Sequence, residues 1–270
     1  RDMTFEETLK TKLIDHFDKR EIDYFIRVFT EDMPILEDAD ADEWKSIAER
    51  LIDQEPIQYI TGLAPFYGYF FQVNPSVLIP RPETEELVYL IHDFIKKTKL
   101  DTPKILDIGS GSGCIPITLS LLNTDAEITS IDVSEEALVV AKSNNSKLGS
   151  KVNFKKVDIL KEDHWRKISG KFDIIVSNPP YIPNKEKSLM SANVLDHEPH
   201  IALFVEDQNP LIFYNKIHNF AANFLKANGT VFLECNEFNA QEVKEIYRSQ
   251  YSAEIINDMQ GKERMVIARK

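Results

Sequence analysis

Cysteine is scarce in this chain, with only Cys114 and Cys235 among 270 residues. The two are far apart and form no Cys-x-x-Cys pair, so no disulfide is expected and both read as reduced, buried thiols in a cytosolic setting. Long apolar runs are absent too. No stretch approaches the ~18–20 residues of a membrane span. The opening residues RDMTFEETLK are charged and lack an apolar h-region, so no secretory leader is expected in them. Positive charge is also short, with 32 Lys and Arg against 44 Asp and Glu and a net charge of −12. Phosphate backbones are held by Lys and Arg that release counterions, so no direct nucleic-acid partner is expected.

The acidity is uneven. Residues 1–60 carry 17 Asp and Glu against 8 Lys and Arg, three quarters of the excess. Such a face either keeps the segment soluble or docks a basic protein.

The first 55 residues read as a small helical domain. Thr4 with Glu7 forms a capping box before Phe5, Leu9, Leu13 and Phe17 at helical spacing. A second helix follows through Ile22, Phe25, Ile26 and Phe29. A third begins near Asp40 with Trp44, Ile47, Ala48 and Leu51 on one stripe. Residues 56–80, with PIQYITGLAPFYGYFFQV, are aromatic and β-branched, with turn points at Gly62 and Gly68. They read as a hairpin junction. Residues 81–270 form the third segment. It opens on a helix with Leu87, Val88, Ile91, Phe94 and Ile95 facing inward, and then strands and helices alternate. The strands are KILDI, EITSID, VNFKKVD, FDIIVS and GTVFLEC, with helices at SEEALVVAKSNN, at about 210–227 and near 240–250. Alternation of this kind implies an α/β fold whose parallel sheet is covered on both faces. The end, SAEIINDMQGKERMVIARK, reads as two strands joined at Gly261 and added antiparallel at one edge.

Chemistry concentrates at strand ends. Asp107-Ile108-Gly109-Ser110-Gly111-Ser112-Gly113 follows the first strand, and glycines there let a ligand lie against the backbone. The spacing is G-x-G-x-G, with Cys114 where the dinucleotide fingerprint has a third glycine. Asp132 ends the next strand at the separation from which a carboxylate reaches ribose hydroxyls. Asp158 ends the third, placed to accept from an adenine amino group while Ile159 packs on the base. Each aspartate alone is also a fair helix cap; three in succession fit one adenosine-bearing ligand better.

Asn178-Pro179-Pro180-Tyr181 ends the fourth strand. Neither proline has an N–H, so the turn offers carbonyl acceptors with few competing donors. With the Asn178 side-chain oxygen it can accept both hydrogens of an –NH2 group, and Tyr181 supplies a flat apolar wall. Held this way, a planar amino or amide nitrogen has its lone pair drawn back and aimed at a methyl donor. His197 and His200, in HEPH, read as loop residues and do not make a zinc-hydrolase helix, and no metal is indicated.

On these blocks, and on VLIPRPETEELV, ILDIGSGSGCIPITLS, IDVSEEALVVAKSN and FDIIVSNPPYIP, the chain resembles class I S-adenosylmethionine methyltransferases. More narrowly, it resembles the bacterial release-factor glutamine N5-methyltransferases. The resemblance is strong over roughly residues 50–235. It implies a doubly wound, Rossmann-like, seven-stranded sheet with a small N-terminal helical domain that helps dock the substrate. It implies S-adenosylmethionine as cofactor, held by Asp107, residues 109–113, Asp132, Asp158, Ile159 and Asn178. It implies that Asn178 and Pro179 hold the glutamine amide, that Pro180 and Tyr181 shape its pocket, that Arg81, Pro82, Glu83 and Thr84 close over the cofactor, and that Phe66 walls the substrate channel. The implied substrate is the glutamine of the Gly-Gly-Gln loop of class I peptide chain release factors, and the implied enzyme is a cytoplasmic monomer. A glutamine methyltransferase of a ribosomal protein and a nucleic-acid amino methyltransferase are the alternatives. Two blocks depart from the family pattern, Glu234-Cys235-Asn236-Glu237 and Val205-Glu206-Asp207-Gln208-Asn209. Neither is expected to touch the transferred methyl.

Overall fold

A computed structural model of the chain describes residues 3–32 and 38–270. The chain divides into two compact units. One comprises Arg1–Leu63 with Met190–Glu198, the other Ala64–Leu189 with Pro199–Lys270.

The first unit is helical. The Thr4/Glu7 capping box starts α1 (Phe5–Leu13), and a second box, Asp18/Glu21, starts α2 (Lys19–Arg27). Asp40 caps α3 (Ala41–Ile52) by accepting the Glu43 N–H. The three apolar stripes meet as expected. Leu9, Leu13, Ile22, Phe29, Trp44 and Leu51 are buried together, with Phe5 stacked on Trp44 and Phe29 edge-on to it. The hairpin reading is corrected at its start, because Ile57–Thr61 is a short helix, α4, that ends on left-handed Gly62. Ile57 and Ile60, three residues apart, both pack on this core, and that contact outweighs the strand propensity of their neighbours. The HEPH block is corrected as well. His197 closes α8 (Ala192–His197) in this unit, with Nε2 3.0 Å from the Asp53 carbonyl, while His200 opens a 3-10 turn of the other unit.

The hairpin proper is β1 (Leu63–Phe66) and β2 (Tyr69–Gln72), joined through Tyr67 and Gly68, both at positive φ, a twist that suits a two-residue hairpin turn. Next comes α5 (Pro82–Thr98), with Pro82 in its first turn, where the missing N–H costs nothing. The alternating series follows as β3 (Lys104–Ile108), α6 (Cys114–Leu122), β4 (Glu127–Asp132), α7 (Glu135–Leu148), β5 (Val152–Lys156) and β6 (Phe172–Ser177). Two short strands, β7 (Ile182–Pro183) and β8 (Phe204–Val205), pair with each other. The chain ends with α9 (Ile212–Phe224), β9 (Leu225–Glu234), α10 (Ala240–Arg248), β10 (Ser252–Asn257) and β11 (Glu263–Arg269). The helix expected to reach residue 227 stops at Phe224. The chain then enters β9 and loops through Asn228 at positive φ, so pairing with β6 jumps from Phe172↔Leu225 to Ile174↔Thr230.

Seven strands form one sheet in the order β10-β11-β9-β6-β3-β4-β5. The five from β9 to β5 are parallel, and β11 and β10 add antiparallel at the β9 edge. Alternate residues of β6 face opposite cores. Ile175 packs with Tyr214, Phe220 and Tyr247 from α9 and α10, whereas Ile174 and Val176 pack with Leu87, Ile117 and Leu138 from α5, α6 and α7. No helix among the described residues is long and apolar enough to cross a membrane.

Candidate active site

In an open α/β sheet, ligands bind beyond the carboxyl ends of the strands, where the order reverses. Here β3 lies at that point, with β4 and β5 on one side and β6 and β9 on the other. A cavity opens there, lined by the segments that follow β3, β4, β5 and β6 and by the approach to α5.

The loop after β3 is tied down on several sides. The Gly109 and Ser110 N–H groups both donate to the Ile131 carbonyl, and the Gly111 N–H donates to Asp132 Oδ2 at 3.0 Å. Gly109 and Gly111 adopt positive φ, and a Cβ at either would meet nothing within 4 Å, so their open faces form a cradle for a ligand. Gly113 differs. A Cβ there would lie 2.6 Å from Ile117 Cδ1, and it is absent from the cavity wall, so Gly113 serves the packing of α6.

Asp107 is also a correction to the expected cofactor contacts. It is fully buried and off the cavity wall. Ser130 Oγ donates to its Oδ2 at 2.6 Å and lies 2.6 Å from Ser110 Oγ, so Asp107 supports the loop from beneath. Burial pushes its pKa up to about 8, against the Ser130 bond, which lowers it. Asp132 does reach the cavity. Its Oδ1 accepts from Ser134 N and its Oδ2 from Gly111 N, which leaves lone pairs for ribose hydroxyls; burial, the larger effect, raises its pKa. Asp158 and Ile159 line the wall beyond. Asp158 Oδ1 accepts from Leu160 N, and the Ile159 carbonyl is held by Trp165 Nε1 at 2.9 Å, a brace that no motif announced.

Asn178, Pro179 and Pro180 line the same cavity. Ser177 Oγ donates to the Ile108 carbonyl at 2.7 Å and fixes the end of β6 to β3, whereas the Asn178 side chain makes no hydrogen bond among the described residues. Tyr181 is not on the wall. It packs against the core on the α9 side, and burial, its largest influence, raises its hydroxyl pKa. Phe66 is likewise corrected. At 1% exposed it stacks edge-on to Phe71 inside the core between the sheet and α5, not beside the cavity. Arg81 and Thr84 line the cavity, while Pro82 and Glu83 line a separate depression with Tyr89 and Met259.

Two features escaped sequence reasoning. Ser76–Pro80, just ahead of Arg81, contribute a wall. Asn144 of α7, 1% exposed, donates through Nδ2 to the Ser112 and Gln72 carbonyls and accepts the Gln72 N–H, joining β2 to the glycine loop.

These residues fit S-adenosylmethionine. An open glycine backbone, the acceptors Asp132 and Asp158 at successive strand ends, and the apolar Val157, Ile159 and Phe213 suit an adenosine-bearing ligand.

Comparison with known proteins agrees. The family described as "Methyltransferase domain" matches residues 100–261. A release factor glutamine methyltransferase of Bacteroides thetaiotaomicron is 45% identical over 230 residues, which span 84% of this chain and 81% of that one. Another, of Flavobacterium psychrophilum, is 39% identical over 266 residues, spanning 93% and 92%. Among solved structures, a methyltransferase from Pyrococcus furiosus superposes with a TM-score of 0.54 at 20% identity, covering 84% of this chain and 98% of that one, and shares the fold. The chain belongs to the family of release factor glutamine methyltransferases.

Proposed function

We propose that this enzyme transfers a methyl group from S-adenosylmethionine to the side-chain amide nitrogen, N5, of the glutamine in the Gly-Gly-Gln loop of class I peptide chain release factors. The observation that carries this reading is the Asn178-Pro179-Pro180 turn opening on the same cavity as Gly109, Gly111, Asp132 and Asp158. The names of its relatives support the choice of substrate.

S-adenosylmethionine, when bound, supplies an electrophilic methyl on a sulfonium. The glycine loop and Asp132 hold the donor's ribose side, and Asp158 with Ile159 holds its base. At the other end of the cavity, Asn178 Oδ1 and the carbonyls of the proline turn accept the two amide hydrogens. Two acceptors set out of the amide plane favour a pyramidal nitrogen whose lone pair points into the cavity. Catalysis comes from this positioning, and the amide proton is lost to solvent once the nitrogen is alkylated. The helical unit, whose segment carries most of the net negative charge, docks the release factor. The enzyme acts as a monomer in the cytoplasm.

Mass spectrometry of unmethylated release factor, after incubation with the protein and S-adenosylmethionine, tests the proposal. A gain of one methyl on the Gly-Gly-Gln glutamine is expected. No gain by a protein that binds the cofactor would rule this substrate out.

A further inference from the structure

Glu234, which ends β9, is a buried carboxylate beside the catalytic turn. Leu233 is in register with Ser177 of β6, so Glu234 runs alongside Asn178, and on its other side it pairs with Met265 of β11. Its carboxylate accepts the Thr84 hydroxyl at 2.7 Å, and its carbonyl accepts Tyr214 Oη at 2.9 Å. Thr84 is itself 3% exposed, sits in the first turn of α5, and lines the cavity with Arg81. A buried carboxylate is costly unless hydrogen-bonded, and an apolar side chain would fill the same space without that cost. Here the carboxylate makes a bond that an apolar residue cannot, joining two segments 150 residues apart at the cavity's edge.

We propose that Glu234 and Thr84 form a positioning pair for the methyl acceptor. Their bond fixes the first turn of α5 against the end of β9, and with it the turn at Asn178–Pro180 that follows the neighbouring strand β6. The proposal rests on the reading that this turn holds the amide.

The test compares wild type with E234A, E234Q and T84V, using full-length protein and unmethylated release factor. The readouts are kcat, KM for the release factor, and the calorimetric Kd for S-adenosylhomocysteine. E234A and T84V should each lower kcat at least tenfold, with that Kd unchanged within threefold. E234Q keeps an oxygen for the Thr84 hydroxyl and should restore kcat to within threefold of wild type. If E234A does not fold, T84V, which preserves volume, carries the comparison. The proposal is overturned if T84V turns over within threefold of wild type, if Kd rises in step with the loss of kcat, or if E234Q is as slow as T84V. A wild type that binds cofactor yet methylates nothing would count against the function itself, whereas an active wild type beside an equally active T84V would count against the pair alone.

Discussion

Raising the pH from 6 to 9 should weaken this protein through Asp107, and Asp107→Asn should abolish that weakening. The side chain is fully buried, accepts one bond from Ser130, and has its Oδ1 without a partner. Burial therefore pushes its pKa up to about 8, against about 4 for an aspartate in an unfolded chain. The folded pKa lies above the unfolded one, so the fold retains a proton that the unfolded chain has released. The stability contributed by this group is complete below about pH 4 and declines as pH rises, until the folded carboxyl itself ionises near 8. Between pH 6 and 8 the slope is about 1.4 kcal/mol per pH unit, so about 2 to 3 kcal/mol should be gone by pH 9. Asparagine copies the shape of the neutral acid and does not titrate. Its extra amide hydrogen adds an offset that is the same at every pH. Glu234, whose pKa burial pushes up to about 7, titrates in both proteins and cancels in the difference. The assay is urea unfolding at several pH values, read from Trp165 in the core of the catalytic unit. Trp44 is replaced by Phe in both proteins, so that the helical unit stays silent. D107N should gain about 2 to 3 kcal/mol on its parent between pH 6 and 9. A constant difference across that range would refute the argument.

Other substitutions separate the parts of the site. Asn178→Ala should reduce kcat by about 10²–10³, the usual loss for one preorganised polar group, while the Kd for S-adenosylmethionine stays within threefold. Equal loss of both would contradict its role at the acceptor. Asp132→Ala should instead weaken cofactor binding about 10- to 100-fold in calorimetry, the worth of a hydrogen bond to a charged group. An unchanged Kd would remove Asp132 from the cofactor site. Phe66→Ala should cost about 3 to 5 kcal/mol in urea unfolding and leave the KM for release factor unaltered, because the ring is a core residue. A raised KM in a stable F66A protein would return it to the substrate channel.

What could be read from the residues was placement that is local in the chain. Gly109 and Gly111, Asp132, Asp158 and Asn178 each lie within a few residues of a strand's end, and an open sheet brings those ends to one place whatever the details of packing. The misreadings share the opposite property. The alternation of β1 turns Ala64 and Phe66 to the same side, but whether that side meets core or channel depends on α5 and the sheet, which are distant in sequence. Asp107 belongs to the glycine motif, yet its direction is set by Ser130, 23 residues on. The Glu234–Thr84 bond has no local signature at all. Helix α4 failed for a related reason, since Tyr59, Ile60 and Thr61 have strand propensity and only the packing of Ile57 and Ile60 decides the matter.

The two ends of the cavity are built on different principles. On the cofactor side the loop is tied to its surroundings at several points. The Ile131 carbonyl takes two N–H groups, Asp132 takes a third, the Ser112 carbonyl is held by Asn144, and Ser110 lies on Ser130 above Asp107. A loop held at so many points loses little freedom when a ligand arrives, so less of the binding energy goes into ordering it. On the acceptor side Ser177 is locked to Ile108, yet the next side chain, Asn178, has no partner among the described residues. The strand before it is fixed in the sheet and the next two residues are prolines, so the amide group is presented without being consumed. An –NH2 group can donate to it, whereas a carboxylate would set oxygen lone pairs against oxygen lone pairs. On the proposed reading, rigidity beneath an unspent acceptor lets one short turn select an amide nitrogen and hold it still for alkylation.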